Sequence, residues 1–284
     1  MAPPASLPRG CVRGDKAGLA LVRRCNGRTE WLFTKRASNA PPLAATAPSL
    51  CEAREHALVN QADPEKYWWW ITDASLACIG EHLRSRCFLV LDGILGRSAS
   101  VELRKEVIEA RDLGKLTTSK LAGGRDGSKL TYTHTAVRGD LVGWFDGDEP
   151  ALWTGGAFNR YLQKIDTLVA QLAEHVSELS GISTRSKAMV TCYPGNGSRY
   201  VRHCDNSCDT GRGERCNGRR ITAIIYLNPD WQHADGGELR LYEPYAPKGR
   251  PPLADVLPSH FDRFAITVWY FDGEEYAGVE NVEA

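Results

Sequence analysis

The chain has no excess of charge of either sign. Its 284 residues include 35 Lys and Arg against 35 Asp and Glu, so the formal net charge is zero. Proteins that bind nucleic acid or anionic membrane surfaces through long-range electrostatics usually carry a basic excess or a basic tract. The sequence therefore predicts neither a nucleic acid nor a membrane as a partner.

Long apolar runs are also missing. No stretch reaches the roughly 20 apolar residues that a membrane-spanning helix needs, and residues 1–6 lack the apolar core of a secretion signal. The nine cysteines are odd in number, irregularly spaced and without a Cys-x-x-Cys pair. We therefore expect free thiols and a reducing compartment, cytoplasmic or nuclear. No zinc site is predicted.

The composition divides the chain into three parts. Residues 1–70 are rich in Ala, Pro, Arg and Ser with little periodicity, which predicts a low-complexity, weakly ordered extension. Periodic helical and β-rich stretches begin near Asp73, so one domain is placed at residues 71–272. Residues 273–284 form a C-terminal tail.

Three helices can be read from the apolar periodicity of this domain. The first starts at Asp73, with Leu76, Ile79 and Leu83 spaced for one face. Apolar residues from Phe158 to Leu179 recur at three- and four-residue steps, which predicts a long core helix ended by a left-handed Gly181. A helix from Ser98 is expected to turn Val101, Val107 and Ile108 inward and to end near Gly114.

Two side chains of types that can bind a metal follow the β-rich run from Met189. His203 and Asp205 are two residues apart, so on an extended strand they point to the same side. An imidazole and a carboxylate so placed are two of the three ligands of the non-haem iron(II) oxygenase triad. The pattern alone is weak, because a solvated loop pair has the same sequence.

Long blocks around this pair resemble the hypoxia-inducible-factor prolyl hydroxylases. The blocks occur in the family's order, and the resemblance covers roughly residues 71–272. It rests on Arg138-Gly-Asp140, Lys187-Ala-Met-Val, Tyr193-Pro-Gly-Asn-Gly, Tyr200-Val-Arg-His203, Arg220-Ile-Thr-Ala-Ile-Ile-Tyr-Leu-Asn228 and Ala265-Ile-Thr-Val-Trp-Tyr-Phe-Asp272.

The resemblance implies an α+β fold, a double-stranded β-helix (jelly roll) with supporting helices on one face and its core near residues 184–272. It implies iron(II), with 2-oxoglutarate and O₂ as cosubstrates and ascorbate in support. It also implies a monomer acting on a proline-containing protein that resembles hypoxia-inducible factor, and a hairpin loop within residues 114–137.

Five site residues follow from the resemblance. His203 and Asp205 correspond to metal ligands, and no separate catalytic residue is assigned. Tyr193, Tyr226 and Arg263 correspond to the 2-oxoglutarate site, with Arg263 holding the distal carboxylate. Without the resemblance, Tyr226 would be read as a core residue and Arg263 as a surface arginine. If Arg263 faces the pocket, strand alternation places Trp269 there as well.

One family block has no counterpart here. The family's third iron ligand is a histidine in a Phe-Trp-Ser-Asp-Arg-Arg-x-Pro-His-Glu-Val segment, whereas here Asp262 is followed directly by Arg263. One strand near the C-terminus is therefore expected to be missing, which would leave an open sheet edge. Of the nearby histidines, His233 and His260, neither lies in the family's place.

Two functions remain open from the sequence. The first is prolyl 4-hydroxylation of a protein substrate, such as an oxygen-sensing transcription factor. The alternative is a catalytically impaired member that binds the peptide without turnover, because the third iron ligand is missing.

Overall fold

The computed structural model describes residues 18–23, 72–86, 88–92, 94–119, 121–123, 130–132, 138–149, 152–195, 198, 200, 218–229, 235, 239 and 262–273. This part of the chain contains three α-helices, one short 3₁₀ helix and ten strands. No helix within it has both the length and the apolarity needed to pass through a lipid bilayer.

The helices are α1 (Asp73–Arg86), α2 (Arg97–Asp112) and α3 (Ala157–His175). The predicted apolar stripe of α3 is buried, and Phe158 and Leu168 are both 0% exposed. Burial of such a stripe is what stabilises an amphipathic helix in water.

Eight of the ten strands form one antiparallel sheet. Its strand order is β2-β1-β9-β10-β8-β6-β3, and β7 pairs with β10 beyond the end of β8; β4 and β5 form a separate hairpin. The strand bounds are β1 Gly18–Arg23, β2 Phe88–Asp92, β3 Thr117–Thr118, β4 Leu121–Gly123, β5 Leu130–Tyr132, β6 Leu141–Phe145, β7 Ile182–Arg185, β8 Ala188–Tyr193, β9 Arg219–Tyr226 and β10 Arg263–Asp272.

The two faces of the sheet have different roles. On one face, every second residue of the central strands packs with the helices into one large apolar cluster, which includes Val190, Ile225 and Ile266. On the other face, Val142, Met189, Trp269 and Phe271 form a smaller cluster. Since side chains alternate along a strand, a residue's position in the strand decides on which face of the sheet its side chain lies.

Glu106 of α2 holds the start of α3. The backbone N–H groups of Ala157 and Phe158 donate to its two carboxylate oxygens at 3.2 and 2.8 Å. These are helix N-terminal N–H groups that have no partner within the helix, and the helix dipole favours a negative charge there. Glu106 is buried, so this contact fixes α2 against α3 inside the core.

Two helix predictions were wrong in detail. Val107 is buried as predicted, but Val101 is 57% exposed, because the buried side of α2 carries Leu103, Glu106 and Val107. Gly181 does not adopt a left-handed conformation: α3 ends earlier, at His175. Any larger residue at this position would have to displace the Asp272 carboxylate, because a Cβ on Gly181 would lie 2.5 Å from Asp272 Oδ2.

Most of the N-terminal extension was predicted to be weakly ordered, and within it the structure describes residues 18–23. They form β1, which lies inside the sheet between β9 and β2. The edge of β9 that does not face β10 is therefore paired with β1, and the open edge expected from a missing strand stays a prediction. The rest of residues 1–70 lies outside the described residues, and the three domain boundaries stay predictions. The hairpin predicted within residues 114–137 is present as β4 and β5.

Cys192 on β8 is a free, buried thiol, and it is expected to resist alkylation. Burial and the nearby Asp262 carboxylate raise its pKa to about 11, although Arg111 opposes this. Because only the thiolate reacts, about one molecule in a thousand is reactive at pH 8. Iodoacetamide labelling at pH 8, followed by mass spectrometry, should leave Cys192 unmodified in the native protein and modified in urea. Rapid native labelling would contradict the prediction.

Candidate functional site

The strand register brings three predicted site residues together. Arg263 on β10 is directly opposite Tyr193 on β8, and Ala265, two residues further, is opposite Tyr226 on β9. Opposed residues of an antiparallel pair point to the same side, so the arginine and both phenols share one face. This is the face away from the helices. The guanidinium carbon of Arg263 lies 4.0 Å from the centre of the Tyr226 ring.

Both phenols are held in the neutral state. Burial raises the pKa of Tyr193 well above its ordinary value, and the neighbouring Asp140 carboxylate adds to the effect. Burial likewise raises the pKa of Tyr226, although the Arg263 charge opposes it. Near neutral pH the two hydroxyls are therefore donors beside a permanent cation. This donor set fits a carboxylate, since a guanidinium binds two carboxylate oxygens at once.

Arg263 is positioned by a side chain that the sequence analysis missed. Asn228, which is buried, donates from Nδ2 to the carbonyl of Asp262 at 2.7 Å. Its Oδ1 accepts the N–H of Phe264, also at 2.7 Å. Asn228 thus bridges the residues on both sides of Arg263 and fixes the backbone there. An asparagine directly after an apolar strand was the available signal.

The Asp262 side chain provides a second anchor at the same point. Its carboxylate accepts a hydrogen bond from Arg111 Nη1 at 2.6 Å, and the N–H of Gly195 lies 3.4 Å from it. The backbone at Asp262 and Arg263 is therefore held in place by α2, by the turn after β8 and by Asn228.

A buried ion pair lies next to the phenols. Arg138 Nε and Nη2 donate to the two carboxylate oxygens of Asp140 at 2.8 and 2.9 Å. Burial by itself would lower the pKa of Arg138, but the Asp140 carboxylate outweighs it and the pKa is raised. Arg138 also lies 4.7 Å from the ring centre of Tyr200. The sequence analysis noted this pair only as part of the resemblance.

Aromatic side chains extend the same face. Trp269 lies on it, as alternation from Arg263 predicted, and stacks on Trp144 with 5.7 Å between ring centres. The guanidinium of Arg219 lies 4.4 Å from the Trp269 ring centre. Trp144 remains 48% exposed, so the face ends in an aromatic surface that is open to solvent.

The predicted metal ligands His203 and Asp205 lie outside the described residues, as do His233 and His260. Within the described ranges, one cluster of possible ligands occurs, formed by Asp146, Asp148 and Glu149. Glu149 accepts hydrogen bonds from the N–H groups of Asp146 and Gly147 and so closes a turn. We assign no metal to this exposed turn. The described side chains therefore show whether 2-oxoglutarate fits the site, but they do not show whether iron does.

Comparisons with known proteins bear on the same region. The model of the 2OG-Fe(II) oxygenase superfamily matches residues 188–271, which span β8 to β10. Egl nine homolog 1 of Homo sapiens is 30% identical over 267 residues, which are 87% of this chain and 57% of that protein. Prolyl hydroxylase EGLN3 of Rattus norvegicus is 36% identical over 211 residues, 67% of this chain and 80% of that protein.

One solved structure extends the likeness to three dimensions. It is a prolyl hydroxylase in complex with a hypoxia inducible factor oxygen degradation domain peptide fragment, from Trichoplax adhaerens. Its TM-score is 0.56 at 29% identity, covering 72% of this chain and 91% of that chain. The antiparallel sheet backed by helices agrees with this jelly-roll neighbour.

The chain spans about half the length of the Egl nine homolog 1 proteins that it matches, 57% for Homo sapiens and 47% for Mus musculus. It covers 80% of the shorter EGLN3 protein of Rattus norvegicus. The chain therefore belongs to the 2-oxoglutarate- and iron(II)-dependent oxygenase superfamily and, within it, to the Egl nine family of prolyl hydroxylases.

Proposed function

We propose that this protein hydroxylates prolyl residues of a protein substrate, using 2-oxoglutarate and O₂. The observation that carries the proposal is the arrangement of Arg263, Tyr193 and Tyr226 on the open face of the sheet. A cation flanked by two neutral phenols is suited to a dicarboxylate cosubstrate. Family membership supplies the reaction class.

The described side chains have separable roles in this proposal. Arg263 binds the distal carboxylate of 2-oxoglutarate in bidentate fashion, and Tyr193 and Tyr226 donate hydrogen bonds to its oxygens. Because the phenols stay neutral, they do not repel the dianion. The buried side chains of Val142 and Met189 on the same face keep water from the bound molecule and so strengthen these charged contacts.

Iron(II), when bound, supplies the activation of O₂ that no protein side chain provides. We assign His203 and Asp205 as its protein ligands. The third histidine of the family has no counterpart between Asp262 and Arg263, and we propose that the strand carrying it is absent. With two protein ligands, iron affinity is expected to be weak and to rise when 2-oxoglutarate is added.

The proposed substrate is a proline-containing segment like the peptide bound by the Trichoplax adhaerens relative. The exposed ring of Trp144, stacked on Trp269 on the same face of the sheet, offers an apolar surface for a part of the substrate segment. We further propose that the protein acts as a monomer in the cytoplasm or nucleus. Cys78 and Cys192, both buried and in the described part of the chain, are not joined in a disulfide, which is in keeping with a reducing compartment.

The test is turnover of a prolyl peptide from the oxygen degradation domain of a hypoxia inducible factor. With iron(II), ascorbate, 2-oxoglutarate and air, we expect a mass gain of one oxygen atom on the proline and matching release of succinate. Omission of 2-oxoglutarate and replacement of proline by alanine are the controls. If the peptide binds and 2-oxoglutarate binds but no mass is gained, the protein is a binding module and the proposal fails.

A separate prediction concerns Arg263. The Arg263→Ala variant should bind 2-oxoglutarate about 10–100-fold more weakly, since a charge-assisted hydrogen bond contributes roughly 1.5–3 kcal/mol. Calorimetric titration with manganese(II) in place of iron measures this without turnover. Arg160→Ala is the matched control, because Arg160 is an exposed arginine paired with Glu102 on the helical side. Equal affinity in both variants would remove Arg263 from the site.

A further inference from the structure

The strand β1 occupies an interior position in the sheet. It pairs with β9 over six residues, from Gly18 opposite Tyr226 to Arg23 opposite Ile221. Along its other edge it pairs with β2 over five residues, from Gly18 opposite Asp92 to Val22 opposite Phe88. Among the described strands, β2 has no other partner. The sheet is thus continuous across β2 and β9 because β1 lies between them.

The register also aligns the core across these three strands. Leu89 of β2, position 21 of β1 and Ala223 of β9 form one row, and Leu91, position 19 and Ile225 form another. The residues at both ends of each row belong to the large apolar cluster. A sheet spacing of about 4.8 Å means that removing β1 would leave a gap of roughly 10 Å in this layer. The facing N–H and C=O groups of β2 and β9 would then lose their partners.

The remaining strands of this sheet do not provide a substitute. Asp262 passes directly into β10, and Asn228 and Arg111 hold that step in place. No chain length is therefore available between Asp262 and Arg263 for another strand. The position between β9 and β2 is filled from the far end of the sequence instead.

From this placement we propose that the space between β9 and β2 is a strand-binding site whose occupant is the chain's own segment 18–23. The segment acts as a tethered strand that completes the sheet, and it is an integral part of the domain. Because Gly18 is opposite Tyr226, occupancy of this site also braces the end of β9 that carries a site residue. The inference rests on strand register and does not depend on the proposed function.

The first test is a disulfide in the full-length chain. Ala20 is directly opposite Val90, which is 52% exposed, so Ala20→Cys with Val90→Cys should oxidise within one molecule. Opposed residues have Cα atoms about 4.5–5.5 Å apart, within disulfide range. The matched control is Val22→Cys with Val90→Cys, shifted by two residues to a spacing of about 7–8 Å. Peptide mapping by mass spectrometry separates the new bond from those of the native cysteines.

In the monomer fraction, the yield of the disulfide between positions 20 and 90 should be at least about 10-fold higher than the yield of the disulfide between positions 22 and 90. Equal yields, or no 20–90 bond, would overturn the inference. A 20–90 bond found between two molecules would also overturn it in this form, since the strand would then come from a second copy.

The second test interrupts the strand in the full-length chain. Proline has no N–H for the ladder and is not tolerated in an interior strand, so Leu21→Pro should lower the midpoint of thermal unfolding by roughly 5–10 °C. Leu21→Ile keeps the backbone N–H at the same position and is the control, so its midpoint should change far less. A synthetic peptide of residues 16–25 should bind the Leu21→Pro variant and raise its midpoint, whereas a scrambled peptide should not. An unchanged midpoint in Leu21→Pro would show that β1 does not complete the sheet.

Discussion

Replacement of Asp140 by alanine is expected to lower the free energy of unfolding by about 3–5 kcal/mol. The Asp140 side chain is fully buried, and that of Arg138 is 10% exposed. Removing the carboxylate leaves the guanidinium buried with its charge uncompensated. The loss of such a charge partner costs far more than the pair contributes when intact, because the remaining group cannot return to water. Urea unfolding followed by tryptophan fluorescence measures the difference.

A surface pair provides the matched control for Asp140→Ala. Glu102 and Arg160 lie 2.8 Å apart, but their side chains are 56% and 53% exposed. Glu102→Ala is therefore expected to change the free energy of unfolding by less than about 1 kcal/mol. If the two variants lose similar stability, solvent reaches Arg138 and the pair is not buried as described.

Replacement of Phe158 by alanine should have a comparable effect, about 3–5 kcal/mol. Phe158 is 0% exposed and stacks on Trp153 with 4.0 Å between ring centres at an interplanar angle of 12°. It also meets Phe145 edge to face. Alanine leaves a cavity at the point where the helices meet the sheet, and the aromatic contacts are lost with it.

Val101→Ala serves as the control for Phe158→Ala. Val101 lies on α2 and is exposed, so its truncation should change the free energy of unfolding by no more than about 0.5 kcal/mol. Both variants can be compared by urea unfolding at a fixed pH and temperature. A loss below about 1 kcal/mol in Phe158→Ala would mean that the neighbouring side chains close the cavity.

Elements with a strong repeating pattern were predictable from the sequence. The apolar stripe of α3 specifies its buried side, because a period of 3.6 residues has few other interpretations. Short helices with mixed polarity were harder to orient. In α2 the buried side includes the charged Glu106, which serves as a partner for the start of α3. A prediction based on apolar residues alone therefore placed Val101 on the buried side of the helix.

The site was predictable to the extent that it lies on paired strands. Alternation along β10 places Arg263 and Trp269 on one face from sequence alone, while the assignment of Tyr193 and Tyr226 needed the family resemblance. The anchoring of Arg263 by Asn228 depends on a turn geometry that joins two strands distant in sequence. An asparagine directly after an apolar strand is a local signal for such an anchor, but it does not identify the residues that the asparagine contacts. His203 and Asp205 stay predictions.

Strand β1 was not predicted from the sequence. Its sequence, Gly-Leu-Ala-Leu-Val-Arg, is a short apolar run in a segment rich in Ala and Pro. Propensity for a strand depends on neighbouring strands and burial more than on the residues themselves. Both partners of β1 lie far away in the sequence, so composition alone suggested a weakly ordered segment.

The distance between β1 and β9 has a consequence for synthesis on the ribosome. Val22 pairs with Thr222, so about 200 residues must be translated before the pairing can form. At roughly 5–20 residues per second, the segment waits on the order of 10–40 s after it leaves the exit tunnel. During that time its backbone is open to other partners, including nascent chains on the same message. Slow translation or a chaperone bound near the N-terminus should therefore change the yield of native protein more than for a domain with local pairings.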